Sequence, residues 1–505
     1  MTVTQAPVEP IDLDELALDS FAGRPVAVLG LARSGLALCR FLVDRGAVVS
    51  AYDGRDHAAL AANLTQLEGR PVRLLLGPAV DPRDALADHA LVCTSPSINS
   101  RYPTTEPRLR TALAELEAEG RVPVVSEVDL FLRLCSATTV GVTGTKGKTT
   151  TASLTAAVLA GGDAPVMLGG NIGVPLIERL PELTPAHRVV LELSELQLPT
   201  LSRGTDVAVY THVTSDHLDR HVTVEAYRAA KRRLAELLPA DGRLVVNAED
   251  PVSAGFASAT HAGVLTYRRA EPLPTGLGVR DGWIVASGVI PLSGQGAAMT
   301  GPGGRVLPLD EVRLPGAHNT SNVLAAVAVG LLFGVAPDAM RAAVADFRGV
   351  EHRLEQVAEI DGVVFVNDSQ GTQPDAVIAA LRSFEPPIVL IAGGRSKNLD
   401  VSELAAEVAR RAAAVVLIGE SAAELEAAFS AAGAARLERA PTLEAAVERA
   451  DEIARELLAA DGRRPATVLL SPAAASFDMF VDYAARGAAF KAAVAAIARR
   501  VRERR

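Results

Sequence analysis

The chain has 505 residues, 49% hydrophobic and 22% charged, with a net charge of −10. That length is too great for one hydrophobic core and predicts about three domains. The acidic balance excludes nucleic acid as a general partner, and the absence of any run of about 18 apolar residues predicts no membrane span. The opening MTVTQAPVEPIDLDEL is acidic and lacks the apolar core of a signal peptide. Three widely spaced cysteines, Cys39, Cys93 and Cys135, predict reduced thiols and a cytoplasmic location.

The first segment, residues 1–135, predicts strands at 25–30, 47–53, 72–76 and 90–94, with a helix from Ser34. This βαβ alternation implies a parallel sheet. Gly30-Leu31-Ala32-Arg33-Ser34-Gly35 lies between the first strand and helix and follows a GxGxxG pattern with Ala at the second glycine. The second glycine normally lets backbone approach a pyrophosphate. Its loss argues against a nicotinamide dinucleotide and leaves room for another nucleotide. Asp53 ends the next strand, where an acid that reads a ribose or base is expected, and Arg55 follows. The plain alternative is a βα turn without a ligand.

The second segment, 136–349, opens with the apolar run Thr138–Thr143, then GTKGKTT (144–150), then an Ala/Leu-rich helical stretch. Strand, glycine turn and helix start make a phosphate cradle of inward N–H groups. Lys148 is placed for the β- and γ-phosphates and Thr149 for Mg²⁺. The first glycine of the usual GxxxxGK[ST] spacing would fall on Val142, so the loop is a variant P-loop, and ATP is the expected ligand. Further strands are expected at 189–193, 207–211 and 244–247, followed by short strands and turns from Pro272 to Pro315. Glu192 ends a strand, at the sheet edge where α/β proteins bind ligands; otherwise it is a surface acid. His217 lies just past another strand. Lys231, in EAYRAAKRRL, reads by itself as an exposed helical lysine among basic neighbours.

The third segment, 350–505, predicts strands at 363–367, 388–392, 414–418 and 467–470 with helices between, a second open α/β sheet. Asn367-Asp368-Ser369, Ala392-Gly-Gly-Arg-Ser-Lys397 and Leu470 to Asp478 each end a strand, so three loops converge on one sheet edge. The terminal ARRVRERR reads as a solvated helix end.

Taken in order, GTKGKTT, GGNIG (169–173), LELSELQL, HVTSDHLDRH, AYRAAK, LPGAHNTSN (314–322), EHRLE (351–355), VNDSQGT, AGGRSKNLD and LSPAAASFDMF resemble the motifs of the Mur ligases. These are ATP-dependent amino-acid ligases of peptidoglycan synthesis. The resemblance covers nearly the whole chain after the first twenty residues and is strongest to the branch that adds D-glutamate to UDP-N-acetylmuramoyl-L-alanine. It implies an α/β fold of three domains: a Rossmann-like UDP-binding domain, a central P-loop ATPase-type domain and a C-terminal Rossmann-like α/β domain that binds the amino acid. By matched position it implies that Gly30, Asp53, Arg55, Ser95, Pro96, Asn171, Ser194 and Gln197 hold the UDP-substrate. Gly144, Thr145, Lys146, Gly147, Lys148, Thr149, Thr150, Asn322, Arg353 and Asp368 would bind ATP. Two Mg²⁺ ions would be held by Thr149, Glu192, His217 and Lys231, the last carbamylated by CO₂, and Lys148, Glu192, His217 and Lys231 form the implied catalytic set. This family role replaces the exposed-lysine reading of Lys231. Thr372, Lys397, Ser476, Phe477 and Tyr483 would line the D-glutamate pocket.

The chain departs from the family pattern at Gln370, where the motif DSKATN has Lys, and at Gly371 and Gln373. Glu195, Leu196 and Tyr483 also differ, and these changes bear on the finer substrate contacts rather than on ATP chemistry. The resemblance implies attack of the substrate carboxylate on the γ-phosphate, then of the D-glutamate amine on the acyl phosphate, with the third domain closing to exclude water. A cytoplasmic monomer with small-molecule partners and no nucleic acid is expected. Three other readings compete: a nicotinamide oxidoreductase, a nucleotide-binding regulator without catalysis, and a sibling or folylpolyglutamate-type ligase. GTKGKTT opposes the first; the presence of Lys148, Glu192, His217 and Lys231 together opposes the second; the UDP-type first segment opposes the folate enzyme.

Overall fold

The structure, a computed structural model, describes residues 8–503 apart from 173–174, 215–220, 222, 294–296, 315, 397–399 and 462–464. The chain forms two compact units, Met1–Phe347 and Arg348–Arg505. The first carries two sheets and the second carries one.

The first sheet contains β1 (Pro25–Leu29), β2 (Val48–Asp53), β3 (Val72–Leu76), β4 (Leu91–Thr94) and β5 (Val124–Ser126) in the order β3-β2-β1-β4-β5. Every pairing is parallel. The order reverses between β1 and β4, which opens a crevice at their carboxyl ends, beside Gly30 and Ser95. Helix Arg33–Asp44 follows β1 and buries one apolar stripe, including Leu36, Leu38, Phe41 and Leu42. Gly35 is required here. A Cβ at that position would lie 1.7 Å from the Gly30 carbonyl oxygen, so the helix start packs on the strand end only without a side chain.

The second sheet has nine strands in the order β14-β13-β12-β11-β10-β9-β6-β8-β7. They are β6 (Thr138–Thr143), β7 (Val166–Gly170), β8 (Arg188–Glu192), β9 (Val207–Tyr210), β10 (Arg243–Asn247), β11 (Gly263–Tyr267), β12 (Gly276–Arg280), β13 (Trp283–Ser287) and β14 (Arg305–Pro308). Strands β6 to β12 are parallel, and β13 and β14 extend the edge as antiparallel strands. Helix Ala317–Leu332, buried at every position from Asn322 to Leu332, packs against helix Lys148–Ala160 on one face. On the other face a single apolar core runs from Phe21, Phe41 and Phe131 through Leu176 and Leu198 to Tyr210 and Tyr227. The first and second sheets share this core, which is why they form one unit.

The third sheet comprises β15 (Glu355–Ile360), β16 (Val363–Asn367), β17 (Ile388–Gly393), β18 (Ala412–Ile418), β19 (Leu437–Arg439) and β20 (Ala466–Leu470) in the order β15-β16-β20-β17-β18-β19. Only β15 is antiparallel to its neighbour. Apolar side chains from both faces of this sheet form separate cores under the flanking helices. No helix among the described residues is long and apolar enough to cross a membrane.

The Gly35 contact gives a direct test. Gly35→Ala should destabilise the protein by about 1–3 kcal/mol, because a backbone carbonyl cannot move aside cheaply. Gly54→Ala, whose added Cβ meets nothing within 4 Å, should leave the unfolding midpoint nearly unchanged. Equal denaturation midpoints for the two variants would contradict the steric account.

Candidate functional site

The crevice of the first sheet is a cleft of about 500 Å³ that includes Gly30, Tyr52, Asp53, Arg55, Ile98 and Thr105. Gly30 has φ +86°, and a Cβ there would come within 2.6 Å of Ile98 Cδ1. Asp53, at the end of β2, is buried. One oxygen accepts from the Leu31 N–H at 2.8 Å and from Arg55 Nη2 at 2.7 Å. The other accepts from the Arg55 N–H and Nε, both at 3.0 Å. Burial pushes the carboxyl up, but the Arg55 and Leu31 donors together hold it below the usual carboxylate range. The acid is therefore a fixed anion that clamps Arg55 and the glycine turn. Ser95 Oγ, buried next to Gly30, has no hydrogen-bond partner among the described residues. Pro96 beside it is half-buried.

The GTKGKTT loop spans the end of β6 and the start of helix Lys148–Ala160. Gly147 caps the helix at φ +89°, with no side-chain cap and no acid in the first turn, so the helix N-terminus keeps its positive end. The loop is pinned from outside: Thr145 N–H donates to the His212 carbonyl at 2.6 Å, and a Cβ on Gly144 would strike Thr211 Oγ1 at 2.0 Å. Gly147 is closed in by Asn322 Oδ1, which also accepts from Thr151 Oγ1 at 3.1 Å. Lys148 Nζ donates to the Thr145 carbonyl at 3.0 Å. Thr149 is buried, while Lys146 is exposed and Thr150 half-buried. Alongside lies a second cleft of about 420 Å³, lined by Lys146, Gly147, Asn247, Tyr267, His318 and Asn322 among others. It places Asn322 directly beside the loop.

Next to the loop, β8 ends in Glu192, which is 2% exposed. Its Oε1 accepts from Asn171 Nδ2 at 2.9 Å, and its backbone carbonyl accepts from the Asn171 N–H at 2.8 Å. Its Oε2 is buried with no partner among the described residues. A buried carboxylate oxygen without a donor costs several kcal/mol unless a cation completes it. Lys231 corrects the reading from sequence alone: it is 0% exposed on helix Val224–Glu236. The helix turns its other basic residues outward, Arg232 pairing with Glu236 at 2.8 Å. Lys231 Nζ donates to Thr143 Oγ1 at 3.3 Å and sits 5.5 Å from the centre of the Tyr227 ring. Thr143 Oγ1 in turn donates to the Leu193 carbonyl at 2.8 Å. One hydroxyl at the end of β6 thus links the lysine to the residue after Glu192.

Two of these groups fit a hard cation: the partnerless carboxylate oxygen of Glu192 and the Thr149 hydroxyl at the loop. Among the described residues no three His, Cys, Asp or Glu side chains cluster as a ready-made metal cage. His217 lies outside the described residues. Ser194 and Gln197 form a closed turn after β8, with Gln197 Oε1 accepting from the Ser194 N–H at 2.9 Å and its hydroxyl at 3.0 Å.

In the second unit, Asp368 follows β16 and is buried. It accepts from the Leu354 N–H at 3.2 Å and the Ser471 hydroxyl at 2.6 Å. Gly371, a departure from the family pattern, stands where a Cβ would lie 2.4 Å from Asp368 Oδ2. Gln370 Nε2 reaches the Glu351 carbonyl at 3.4 Å. Arg353 lies in the tight turn between His352 and Leu354, both at positive φ. Thr372 and Tyr483 are half-buried, Ser476 is buried, and Phe477 is 63% exposed. Lys397 lies outside the described residues. The reading from sequence missed Arg486, which is 1% exposed. It donates to Ser369 Oγ and the Ser369 carbonyl, both at 3.0 Å, and to the Ala474 carbonyl at 3.2 Å, tying together the loops after β16 and β20. Nothing in an Ala-rich helix with further arginines marks this one as buried.

The Asp368 carboxyl is pushed up to about 6, by burial first, against the opposing pull of Ser471, the Leu354 N–H and Arg353. Its unfolded value is about 3.9. Between these values the native state binds more protons than the unfolded chain, so this group's favourable contribution is present below about pH 4 and lost as pH rises through 6. Asp368→Asn should therefore gain stability relative to wild type, by roughly 2–3 kcal/mol, between pH 4 and pH 7. Unfolding midpoints of both proteins across that range test this; a pH-independent difference would contradict it.

Known proteins share this organisation. Residues 24–115 match the family described as Mur ligase MurD-like, N-terminal domain. Residues 142–330 match the Mur ligase middle domain, and 352–474 the Mur ligase, glutamate ligase domain. The chain is 39% identical over 477 residues to the UDP-N-acetylmuramoylalanine--D-glutamate ligase of Symbiobacterium thermophilum, covering 93% of this chain and 98% of that one. It is 39% identical over 479 residues to the protein of the same name from Pelotomaculum thermopropionicum, covering 94% and 98%. Among solved structures, the UDP-N-acetylmuramate-alanine ligase MurC of Thermotoga maritima superposes with a TM-score of 0.51 at 18% identity, covering 92% of this chain and 98% of that one. That likeness bears on the fold alone. With three domain matches in order and relatives of this identity along nearly its whole length, the chain belongs to the Mur ligase family.

Proposed function

We propose that this protein joins D-glutamate to UDP-N-acetylmuramoyl-L-alanine at the expense of ATP, a step of peptidoglycan precursor synthesis. The observation that carries the reading is the buried pair at the phosphate loop: Glu192 with an unsatisfied oxygen, and Lys231 at zero exposure, in a chain whose relatives bear that ligase name. Residues 1–135 would bind the UDP-substrate, 136–349 ATP, and 350–505 the amino acid. The enzyme would act as a monomer in the cytoplasm, on small molecules.

Each site group has a physical task. The Asp53–Arg55 clamp and Gly30, with Ser95 and Pro96, form the nucleotide end of the UDP-substrate site, and Asn171, Ser194 and Gln197 face its acyl end. The N–H groups at the helix start after Gly147 would cradle the ATP phosphates, and Lys148 would release the Thr145 carbonyl to neutralise the transferring phosphoryl group. Asn322, which lines the second cleft, would hold the adenosine, and Arg353 and Asp368 are the further ATP residues that the family resemblance implies. Thr149, Glu192, His217 and Lys231 would hold two Mg²⁺ ions, which supply charge neutralisation to the phosphoryl oxygens when bound. Lys231 suits that role as a carbamate: the neutral amine adds to CO₂, loses a proton, and presents carboxylate-like oxygens where an ammonium would be buried.

The substrate carboxylate oxygen attacks the γ-phosphorus and ADP leaves. The amine of D-glutamate then attacks the acyl carbon, and phosphate departs with the carboxylate-derived oxygen. Thr372, Lys397, Ser476, Phe477 and Tyr483 would orient D-glutamate, whose two carboxylates call for cationic and hydroxyl donors.

Two outcomes are expected. Stripping CO₂ and bicarbonate should lower wild-type turnover reversibly, and Lys231→Ala should be nearly inactive and unresponsive to bicarbonate; normal turnover in that variant would refute the carbamate. In a panel of D- and L-amino acids with UDP-N-acetylmuramoyl-L-alanine, D-glutamate should drive the fastest phosphate release. A faster neutral amino acid or L-lysine would overturn the substrate assignment and point to Gln370, where the family lysine is absent.

A further inference from the structure

The first unit contains an aromatic series that the functional reading leaves unused. Tyr102 lies in the loop after β4, the same loop whose Ile98 closes on Gly30 in the Asp53 cleft. Asn99 Oδ1 holds the loop by accepting from the Arg101 and Tyr102 N–H groups at 2.9 and 3.0 Å. The Tyr102 ring is 5% exposed, and its hydroxyl donates to the Glu195 carbonyl at 3.0 Å, within the turn that carries Ser194 and Gln197. The ring meets His221 edge-on, with centroids 5.5 Å apart. His221 meets Tyr227 in the same way at 5.4 Å. The Tyr227 hydroxyl bonds Thr145 Oγ1 of the phosphate loop at 2.9 Å, and Thr145 Oγ1 also accepts from the Thr214 N–H at 3.0 Å.

The contacts therefore run from the loop that borders the UDP-substrate cleft, through Tyr102, His221 and Tyr227, to Thr145 of the ATP loop and the Lys231 helix, with the Glu195 turn as a branch at Tyr102. Edge-to-face rings are directional contacts, and the Tyr102 hydrogen bond to the Glu195 carbonyl joins elements 93 residues apart in sequence. A loop that tightens on a ligand at Gly30 would drive Tyr102 against both the Glu195 turn and His221. We propose that Tyr102 and His221 are positioning residues that couple occupation of the UDP-substrate cleft to the geometry of the phosphate loop. The coupling is a difference in ATP affinity between the free and UDP-substrate-bound protein, and it is reciprocal.

This inference rests on the ligand assignment above, and its test separates the two. Calorimetry gives the affinity of a non-hydrolysable ATP analogue with and without saturating UDP-N-acetylmuramoyl-L-alanine, for wild type, Tyr102→Phe, Tyr102→Ala and His221→Ala. Wild type should bind the analogue at least about fivefold more tightly with the UDP-substrate present, the lower end of usual coupling factors. Tyr102→Ala and His221→Ala should bind each ligand alone within about threefold of wild type, yet lose most of the coupling and about tenfold in kcat. Tyr102→Phe, which keeps the ring and loses the hydroxyl bond, should retain an intermediate coupling. Should a truncation fail to fold, the Phe variant still decides the matter. Equal coupling in wild type and the folded variants, or none in wild type, would overturn the proposal. Failure of wild type to bind the UDP-substrate at all would overturn the ligand assignment instead.

Discussion

Burying ionisable groups at the mouth of a sheet is the constraint on which this structure turns. Glu192 and Lys231 are both out of contact with solvent, at the carboxyl end of the central parallel strands, where the chain could have placed apolar residues at no cost. An isolated buried charge is expensive, and a carboxylate oxygen without a donor remains so after folding. The fold accepts that cost because the neighbouring phosphate loop, with a positive helix end, a glycine cap and Lys148, suits anions and the cations that travel with them. Ligand binding thus completes an electrostatic arrangement that the protein alone leaves open.

The steric devices serve that arrangement. Gly144 and Gly147 let Thr211 and Asn322 press against the phosphate loop, and Gly170 lets the end of β7 pass against the Glu192 backbone. Thr143 holds Lys231 and the carbonyl after Glu192 through one hydroxyl. In the first sheet Gly30 and Gly35 do the same for the Asp53 clamp. Each loop that bears chemistry is backed by a strand end and a buried core, so side-chain positions are set by packing rather than by the loops themselves.

Much of this was legible in the sequence. Apolar runs marked β6, β16 and β17, and the three strand-end loops of the last sheet follow from them. The edge strands were harder. β19 has three residues, β7 ends in two glycines, and β15 mixes polar and apolar residues without alternation as the antiparallel edge of its sheet. Residues whose role depends on distant contacts were hidden. Lys231 stands next to Arg232 and Arg233, so local composition describes a solvated face; only the packing of that helix on the core turns the lysine inward. Arg486 and Tyr102 have the same difficulty, since their partners lie more than ninety residues away in sequence for Ser369 and Glu195. The family motifs, not periodicity, brought Lys231 into the site.

The central claim is that this buried site activates a carboxylate by phosphoryl transfer before an amine attacks it. The most direct measurement follows the oxygen. With UDP-N-acetylmuramoyl-L-alanine labelled with ¹⁸O in its terminal carboxylate, each turnover in the presence of D-glutamate and ATP should release phosphate carrying one ¹⁸O atom, together with ADP. Unlabelled phosphate, with both labels kept in unreacted substrate, would mean that ATP is cleaved by water and that the site does not perform this ligation.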